Sequence, residues 1–400
     1  MGFVRIRIQA PVFVVMNIRF EQQLSTSDES RWIEFWRNSY HGHPEQHPLA
    51  AMRERGRGRT PLFVLAEVGE RICAVALLSI HPLGSHLRLS AEVICRRGPV
   101  FDDPVYGRAI IEAIYGKARA LRAGSVRISP DWTYPEAGVA SAMLDESGFH
   151  PVDESTAVET GRIYLRLPAE DILAGFSVST RKDIRLMERR GMTVRSITSD
   201  SDLGNAFRCI QFNQRRVGMT RTSMREFRML HKYILASHDH GILLGAFREA
   251  QLLGVLAVMW SPRVAYPILY AVDAREARAF SNASVGPMLW WQAMLWARDR
   301  GCAWFDVEGS CTQRNPSHHL FEVAQFKNRF HPEQITRMNE YERVCHRGFH
   351  AAHVVVRKSG HVGKKFIALL LRPWRIRRGQ SRPRIPAPLL AAPGLEGSAP

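Results

Sequence analysis

The sequence predicts an α/β protein of two domains in tandem, each a mixed sheet with flanking helices, followed by a basic C-terminal tail. Three observations carry that reading. The chain has 400 residues, 45% of them hydrophobic, which is more than one compact core usually serves. One pattern of strands and helix is written twice. Positive charge is concentrated at the end of the chain.

The repeat is the strongest organisational signal. Leu62 to Val68 reads as a strand, turns at Gly69-Glu70-Arg71 and returns as Ile72 to Ser79. Ile242 to Arg248 does the same, turning at Glu249-Ala250-Gln251 and returning as Leu252 to Trp260. Their Val, Leu and Ile content suits buried strands, and each hairpin leads through a third strand to a helix. In the first copy the helix spans Pro104 to Leu121, with Gly124 before a strand from Ser125 to Ser129. In the second, Ser284 is placed as the N-cap with Pro287 in the first turn. That helix runs to Arg300, stops at Gly301 and feeds a strand from Ala303 to Val307. An antiparallel hairpin, a helix and a further strand is the order of a mixed α/β sandwich of the GNAT acetyltransferase type. Two GNAT-like domains are expected, at 1–166 and 196–345. A basic helical connection at 167–195 joins them, and 346–400 forms the tail.

Six cysteines are scattered without a CxxC pair or a histidine at zinc spacing, which argues against a disulfide framework and a structural metal and fits a reducing cytoplasm. The apolar run from Ala10 to Met16 is far shorter than the ~20 residues a membrane span needs, so neither export nor a transmembrane helix is expected. The formal net charge is +17, and +10 of it falls from His346 onward, where eleven basic residues face Glu396 alone. The body keeps +7, enough to favour polyanions such as tRNA, nucleotide phosphates or an anionic lipid surface.

Particular residues then suggest chemistry. Thr180-Arg181-Lys182-Asp183-Ile184-Arg185 starts a helix after Ser179 that ends near Gly191, and its spacing puts Arg181 and Arg185 on one face, able to reach one phosphate or diphosphate. The alternative is a solvated basic face. Phe326-Lys327-Asn328-Arg329-Phe330 places a lysine between aromatics. Acyl transfer to an amine passes through a tetrahedral oxyanion, which a cation in a partly dry pocket stabilises, and Lys327 is the candidate; otherwise it is a surface lysine lying along core phenylalanines. Asp306 and Glu308 follow a buried-looking strand, at a strand end where sites in open α/β sheets lie. Either orients or deprotonates an attacking amine, or caps the following loop. Trp290, Trp291 and Trp296 read as core. His41, His43 and His47 sit among Pro44 and Pro48 without acidic or cysteine ligands, so they read as loop rather than metal site. A CoA-binding GNAT domain needs a Gly-rich turn before its central helix to cradle pyrophosphate, and the segment from Asp273 to Gly286 lacks one.

Several of these pieces, in order, resemble the Fem family of aminoacyl-tRNA-dependent peptidoglycan transferases, over roughly Asp28 to Arg343. They are Arg96-Arg97-Gly98-Pro99-Val100-Phe101-Asp102, the strand end Arg127-Ile128-Ser129-Pro130-Asp131, Gly148-Phe149, and the Thr180 to Gly191 segment, which is similar to the family's TRxxIRxAxxxG. Asn282-Ala283-Ser284, Gly301-Cys302 with Phe305-Asp306, and Phe326-Lys327 complete the set. Leu186-Met187-Glu188 departs from the small and basic residues usual in that motif, and the coiled-coil insertion of some members is absent. The resemblance implies that Phe326 and Lys327 lie where acceptor meets donor, and that Arg181 and Arg185 contact phosphate of a nucleotide or lipid precursor. From its strand-end position Asp306 is a further catalytic candidate, and Glu308, Asn282 and Ser284 are candidates for substrate binding. No cofactor is implied, aminoacyl-tRNA being the co-substrate and a nucleotide- or lipid-linked cell-wall precursor the acceptor.

The expected function is therefore transfer of an aminoacyl group from aminoacyl-tRNA onto an amine of a peptidoglycan precursor, in the cytoplasm. Two alternatives stand beside it: an acyltransferase taking an acyl-CoA or acyl carrier protein donor to a sugar, lipid or polysaccharide, and a non-catalytic polyanion- or membrane-binding protein. In the tail, Lys364 to Arg378 interleaves Phe366, Ile367, Leu369, Leu370, Leu371, Trp374 and Ile376 with basic residues. Such a segment suits peripheral contact with the anionic inner face of the membrane, with tRNA contact or no structure as the alternatives. Pro373 limits any helix there to short pieces.

Overall fold

A computed structural model describes residues 2–9, 12–82, 91–152, 159–216, 221–236, 241–275, 277, 284–309 and 321–358. The chain opens with strands β1 (Gly2–Gln9) and β2 (Val12–Glu21), paired antiparallel. Helix α1 (Thr26–Asn38) follows, its first turn satisfied by Ser25, whose hydroxyl accepts the Asp28 N–H. A 3-10 turn at Pro44–Gln46 leads to α2 (Ala50–Gly56). The first repeat is β3 (Thr60–Val68), β4 (Arg71–Pro82), β5 (Ala91–Arg96), β6 (Val100–Phe101), α3 (Pro104–Ala120) and β7 (Ser125–Ser129). Then come α4 (Ala137–Glu146), β8 (His150–Pro151), β9 (Glu159–Tyr164), α5 (Ala169–Gly175), α6 (Val178–Arg189) and β10 (Thr193–Ser196). Helices α7 (Asp200–Arg216) and α8 (Met224–Ala236) precede the second repeat of β11 (Gly241–Arg248), β12 (Gln251–Trp260), β13 (Val264–Val272), α9 (Gly286–Asp299) and β14 (Trp304–Asp306). The described chain ends with α10 (Phe321–Asn328), β15 (Glu333–Thr336), β16 (Tyr341–Val344) and α11 (Arg347–Lys358).

The strands form two mixed sheets, as expected. The first runs β1-β2-β3-β4-β5-β7-β16-β8, with β6 also on β4; the second runs β10-β11-β12-β13-β14-β9-β15. Apart from β6, both repeats contain the same parts in the same order, and their hairpins share the same irregularities. Each hairpin has a two-residue turn entered with positive φ, at Gly69 (59°) and Glu249 (53°). Each also carries a register shift just before it, at Ala66/Glu67 and Ala246/Phe247. Each ends in a parallel pair, β5 with β7 and β13 with β14.

Alternation along the strands divides the interior of Met1–His350 into three cores. Leu62, Val64 and Ala66 of β3 face α3 and α4, while Phe63 and Leu65 face the opposite way. In the second sheet Leu253, Leu256 and Val258 face α6 and α9. Leu252, Val255 and Ala257 of the same strand meet the other face of the first sheet in a shared core with Trp32, Trp36, Phe227 and Tyr233. Trp290 and Trp291 are buried and Trp296 packs against that second-sheet core, in line with their reading as core.

Sheet membership crosses the sequence segments. Strand β9, inside 1–166, pairs with β14 and β15 in the second sheet, and β16, inside 196–345, pairs with β7 and β8 in the first. Two helix starts also move. The cap of α6 is Ser177, whose hydroxyl accepts the Thr180 N–H, so the helix begins at Val178 rather than after Ser179. The cap of α9 is Val285, with no side-chain bond, and Ser284 lies exposed one residue earlier. The tail segment Lys364–Arg378 and the stretch 387–400 lie outside the described residues.

Candidate functional site

At the C-terminal end of β14 the strand exchange brings together charges from both repeats. Asp306 ends the strand fully buried. Its Oδ1 accepts from Thr160 Oγ1 at 2.6 Å and from the Glu308 N–H at 2.9 Å. Its Oδ2 accepts from Arg162 at 3.0 Å and Arg337 at 2.6 Å. Arg337 is itself fully buried, and also donates to Glu308 Oε1 at 3.4 Å and lies 3.6 Å from Asp131. From the first repeat, Arg97 donates to Glu308 Oε2 at 3.2 Å and to Asp131 Oδ1 at 3.4 Å, and the Tyr266 hydroxyl donates to Asp131 Oδ2 at 3.1 Å. His43 completes the ring, with Nε2 3.7 Å from Glu308 Oε1 and its imidazole 4.3 Å from the Tyr266 ring.

Three carboxylates and three guanidiniums therefore neutralise one another in a nearly dry volume, where removing one member would strand its partners. Burial works to raise the Glu308 carboxyl, yet Arg337, Arg97 and His43 hold it well below the ordinary carboxylate range. Asp131 is likewise lowered against its burial by Arg337, His43 and Arg97. These carboxylates hold charge in place and are poor proton acceptors at neutral pH. The expectation that Asp306 contacts substrate as a catalytic group is thus corrected. Its side chain is inaccessible and fully engaged, so it positions Arg162, Arg337 and the Glu308 backbone.

Glu308 is the accessible member, with 27% of its side chain exposed. Both Glu308 (φ 53°) and Gly309 (φ 70°) are left-handed, which turns the chain out of β14 and aims the Glu308 carbonyl at α10. Lys327 donates its Nζ hydrogen bond to that carbonyl. The neighbouring Phe326 stacks on Tyr270 of β13, with centroids 5.4 Å apart and planes 12° apart, and meets Trp290 and Phe330 edge-on. Gly286 at the start of α9 permits this packing, because a Cβ there would collide with the Tyr270 hydroxyl and the Phe326 ring. Strands β13 and β14 pair only over Val264–Ala265 and Trp304–Phe305, so Tyr270 lies beyond their paired stretch. The residues expected at the acceptor–donor junction, Phe326 and Lys327, thus meet Glu308 and the end of β14.

The remaining expected residues lie apart from this cluster. Arg181 and Arg185 share one side of α6, as their spacing predicts, and line a cleft of about 500 Å³ with Glu170, Leu173 and Trp291. Arg181 donates to the carbonyls of Ala174 and Phe176. Neither arginine touches Asp306, Glu308 or Lys327. Asn282 lies outside the described residues. The histidine loop, read as loop, proves to be part of the site: His43 Nδ1 accepts the Glu45 N–H, which turns Nε2 towards Glu308. Arg97, Asp131, Arg162, Tyr266 and Arg337 carried no chemical assignment from sequence; the resemblance quoted Arg97 and Asp131 only within motifs. Among the described residues, no helix is long and apolar enough to cross a membrane.

Against this geometry, residues 177–311 match the family model described as an acetyltransferase (GNAT) domain. No curated protein sequence matches the chain. A crystal structure of FemX is similar with a TM-score of 0.70 at 14% identity, covering 82% of this chain and 97% of that one. A conserved protein of unknown function from Bacteroides thetaiotaomicron has a TM-score of 0.57 at 10% identity, covering 82% and 99%. The C-terminal domain of an Agrobacterium fabrum protein assigned as a lysylphosphatidylglycerol synthetase has a TM-score of 0.50 at 14% identity, covering 82% and 96%. The fold is therefore of the GNAT acyltransferase type, arranged as two GNAT-like domains in the manner of FemX.

Proposed function

We propose that the protein is an aminoacyltransferase that moves an aminoacyl group from aminoacyl-tRNA onto an amine of a nucleotide- or lipid-linked peptidoglycan precursor. The observation that carries this reading is the Phe326-Lys327 pair. Its lysine is fastened to the Glu308 carbonyl at a strand end, and its phenylalanine is locked against Tyr270. The Fem-like fold supports the same reading.

The ester of an aminoacyl-tRNA is already activated, so the enzyme must chiefly align amine and carbonyl and stabilise the oxyanion. Lys327 supplies that stabilisation, and the Glu308 carbonyl together with the Phe326 packing fixes where its ammonium sits. The tetrahedral adduct expels the terminal ribose oxygen of the tRNA, and the amine proton passes to that oxygen through a substrate group or water, because Asp306 is sealed and Glu308 is held ionised by Arg337 and Arg97. No cofactor enters this chemistry.

A thioester donor is the second reading, favoured by the match of residues 177–311 to an acetyltransferase domain. Both are tested by supplying the purified protein with cell-wall precursors and either a radiolabelled mixed aminoacyl-tRNA pool or labelled acetyl-CoA. Label that enters the precursor, but not when the tRNA pool is digested with RNase beforehand, is the expected result. Label only from the thioester overturns the tRNA-dependent reading.

A further inference from the structure

Helix α10 carries Lys327 but has little of its own to hold it in place. It is 8 residues long, shorter than the ~12 an isolated helix needs, and Ala324 is the residue it buries. Its position is therefore set by its neighbours. On one side these are the rings of Tyr270 and Trp290 around Phe326. On the other, the loop between α5 and α6 and the first turns of α6 grip Arg329, Phe330 and His331, the residues directly after α10. The Ser177 N–H and the Thr180 hydroxyl both donate to the Arg329 carbonyl, at 2.9 and 3.3 Å. The Arg329 guanidinium donates to Asp183 Oδ2 at 2.6 Å. His331 Nδ1 donates to the Gly175 carbonyl at 2.9 Å, and Phe176 packs edge-on against Phe330 with ring centres 5.1 Å apart.

The turn that α6 holds is also the turn that carries the lysine, since the Phe330 N–H closes on the Lys327 carbonyl at 3.1 Å. Asp183 stands two residues from both Arg181 and Arg185, roughly 200° around the helix, so α6 shows its arginines to the cleft and its carboxylate to Arg329. The Asp183–Arg329 bond is short and charge-assisted, and both side chains are partly buried, where solvent screens them less than at the surface. We infer that Asp183 is a positioning residue for acyl transfer: acting through Arg329, it fixes the last turn of α10 and with it the Lys327 ammonium. The inference rests on Lys327 being the oxyanion partner in the proposed reaction. An ammonium on a flexible four-carbon stem stabilises a developing oxyanion best when it is already in place. The Glu308 carbonyl fixes its tip, and Asp183 fixes the backbone from which it reaches.

Steady-state transfer by the full-length protein tests it, with aminoacyl-tRNA and the cell-wall precursor as substrates. Asp183→Asn should lower kcat roughly tenfold and leave both KM values unchanged, because a displaced Lys327 weakens the transition state and not the ground-state complex. Asp183→Glu, which keeps the carboxylate, should recover most of that loss. Thr180→Val removes the other side-chain bond to Arg329 and should act in the same direction. Asp183→Asn combined with Arg329→Gln should be no slower than the slower single variant, since both changes break one contact. Full kcat in both Asp183→Asn and Thr180→Val, or a loss confined to KM, overturns the inference. A wild-type protein that transfers nothing from aminoacyl-tRNA would sink the proposed reaction alone, and the support is then read on the lysine itself. The chain has seven lysines, so after reductive 13C-methylation the Lys327 signal is assigned by its loss in Lys327→Arg. That signal should move in Asp183→Asn while those of Lys117 and Lys232 hold; an unmoved Lys327 signal overturns the inference.

Discussion

Lys327 and Arg337 are both cations near Glu308, yet their surroundings demand different things of them. Lys327 touches a backbone carbonyl at an accessible strand end, so Lys327→Ala should leave the fold intact and lower the single-turnover transfer rate by roughly 10²–10³, the cost of losing one oxyanion partner. A full rate in that variant would remove Lys327 from the mechanism. Arg337 is enclosed by three carboxylates. Arg337→Met should therefore cost about 3 kcal/mol of stability in urea, because it leaves the buried Asp306 with Arg162 as its one guanidinium and takes one of the two from Glu308 and from Asp131.

The same cluster sets an acid limit. Glu308 and Asp131 have folded-state values below their unfolded ones, so the unfolded chain binds more protons on acidification. Their contribution is present above the ordinary carboxylate value of about 4 and is lost as pH falls through the folded-state values. The urea midpoint should fall steeply below about pH 4, and less steeply in Arg337→Met, whose carboxyls titrate nearer their unfolded values. A midpoint independent of pH down to acid unfolding would contradict the arrangement. Little of this cluster was legible in the sequence. Arg337 and Asp131 stand far apart in the chain, and nothing in Ile335-Thr336-Arg337-Met338 separates a fully buried guanidinium from a surface one. The Phe326-Lys327 pair was legible because Phe330 follows one turn later and the pair resembles a family motif; its other ring partners, Tyr270 and Trp290, lie far off in sequence.

At the scale of elements, the two hairpins pose a controlled comparison. The first turn is entered by Gly69 and the second by Glu249, at nearly the same positive φ. A side chain in that region costs about 1–2 kcal/mol, against which glycine's greater unfolded freedom must be set. Glu249→Gly should therefore raise the unfolding free energy by up to about 1 kcal/mol, and Gly69→Glu should lower it by a similar amount, both read from denaturant midpoints. No change in either would mean the turns relax to another conformation. The hairpins were legible because apolar strands flank short polar turns, a local pattern. The start of α6 was less so: Ser177, Ser179 and Thr180 all suit an N-cap, and only the bond from the Thr180 N–H to Ser177 decides among them. Strands β9 and β16 illustrate the harder case, since periodicity identifies a strand but says nothing of its partner.

For the molecule as a whole, that exchange of strands has a thermodynamic signature. Each sheet borrows a strand from the other's stretch of sequence, and Met1–His350 forms one unit around a core shared by both sheets. Calorimetry on the intact chain should show one cooperative transition, and a fragment ending at residue 166 should remain unfolded, lacking β16 and leaving β9 without β14 and β15. Two resolved transitions would mean the halves are energetically separate.

Strand β16 has another consequence, one of timing. It lies between β7 and β8, and Ser125 is bonded to Glu342 across a separation of 217 residues. During synthesis the ribosome must deliver nearly the whole chain before that gap in the first sheet can close. Until then β7 presents an unpaired edge to the crowded cell, an invitation to wrong partners that local folding of the early hairpin cannot withdraw. The nascent protein is thus most in need of a chaperone late in translation, when the second half is already made.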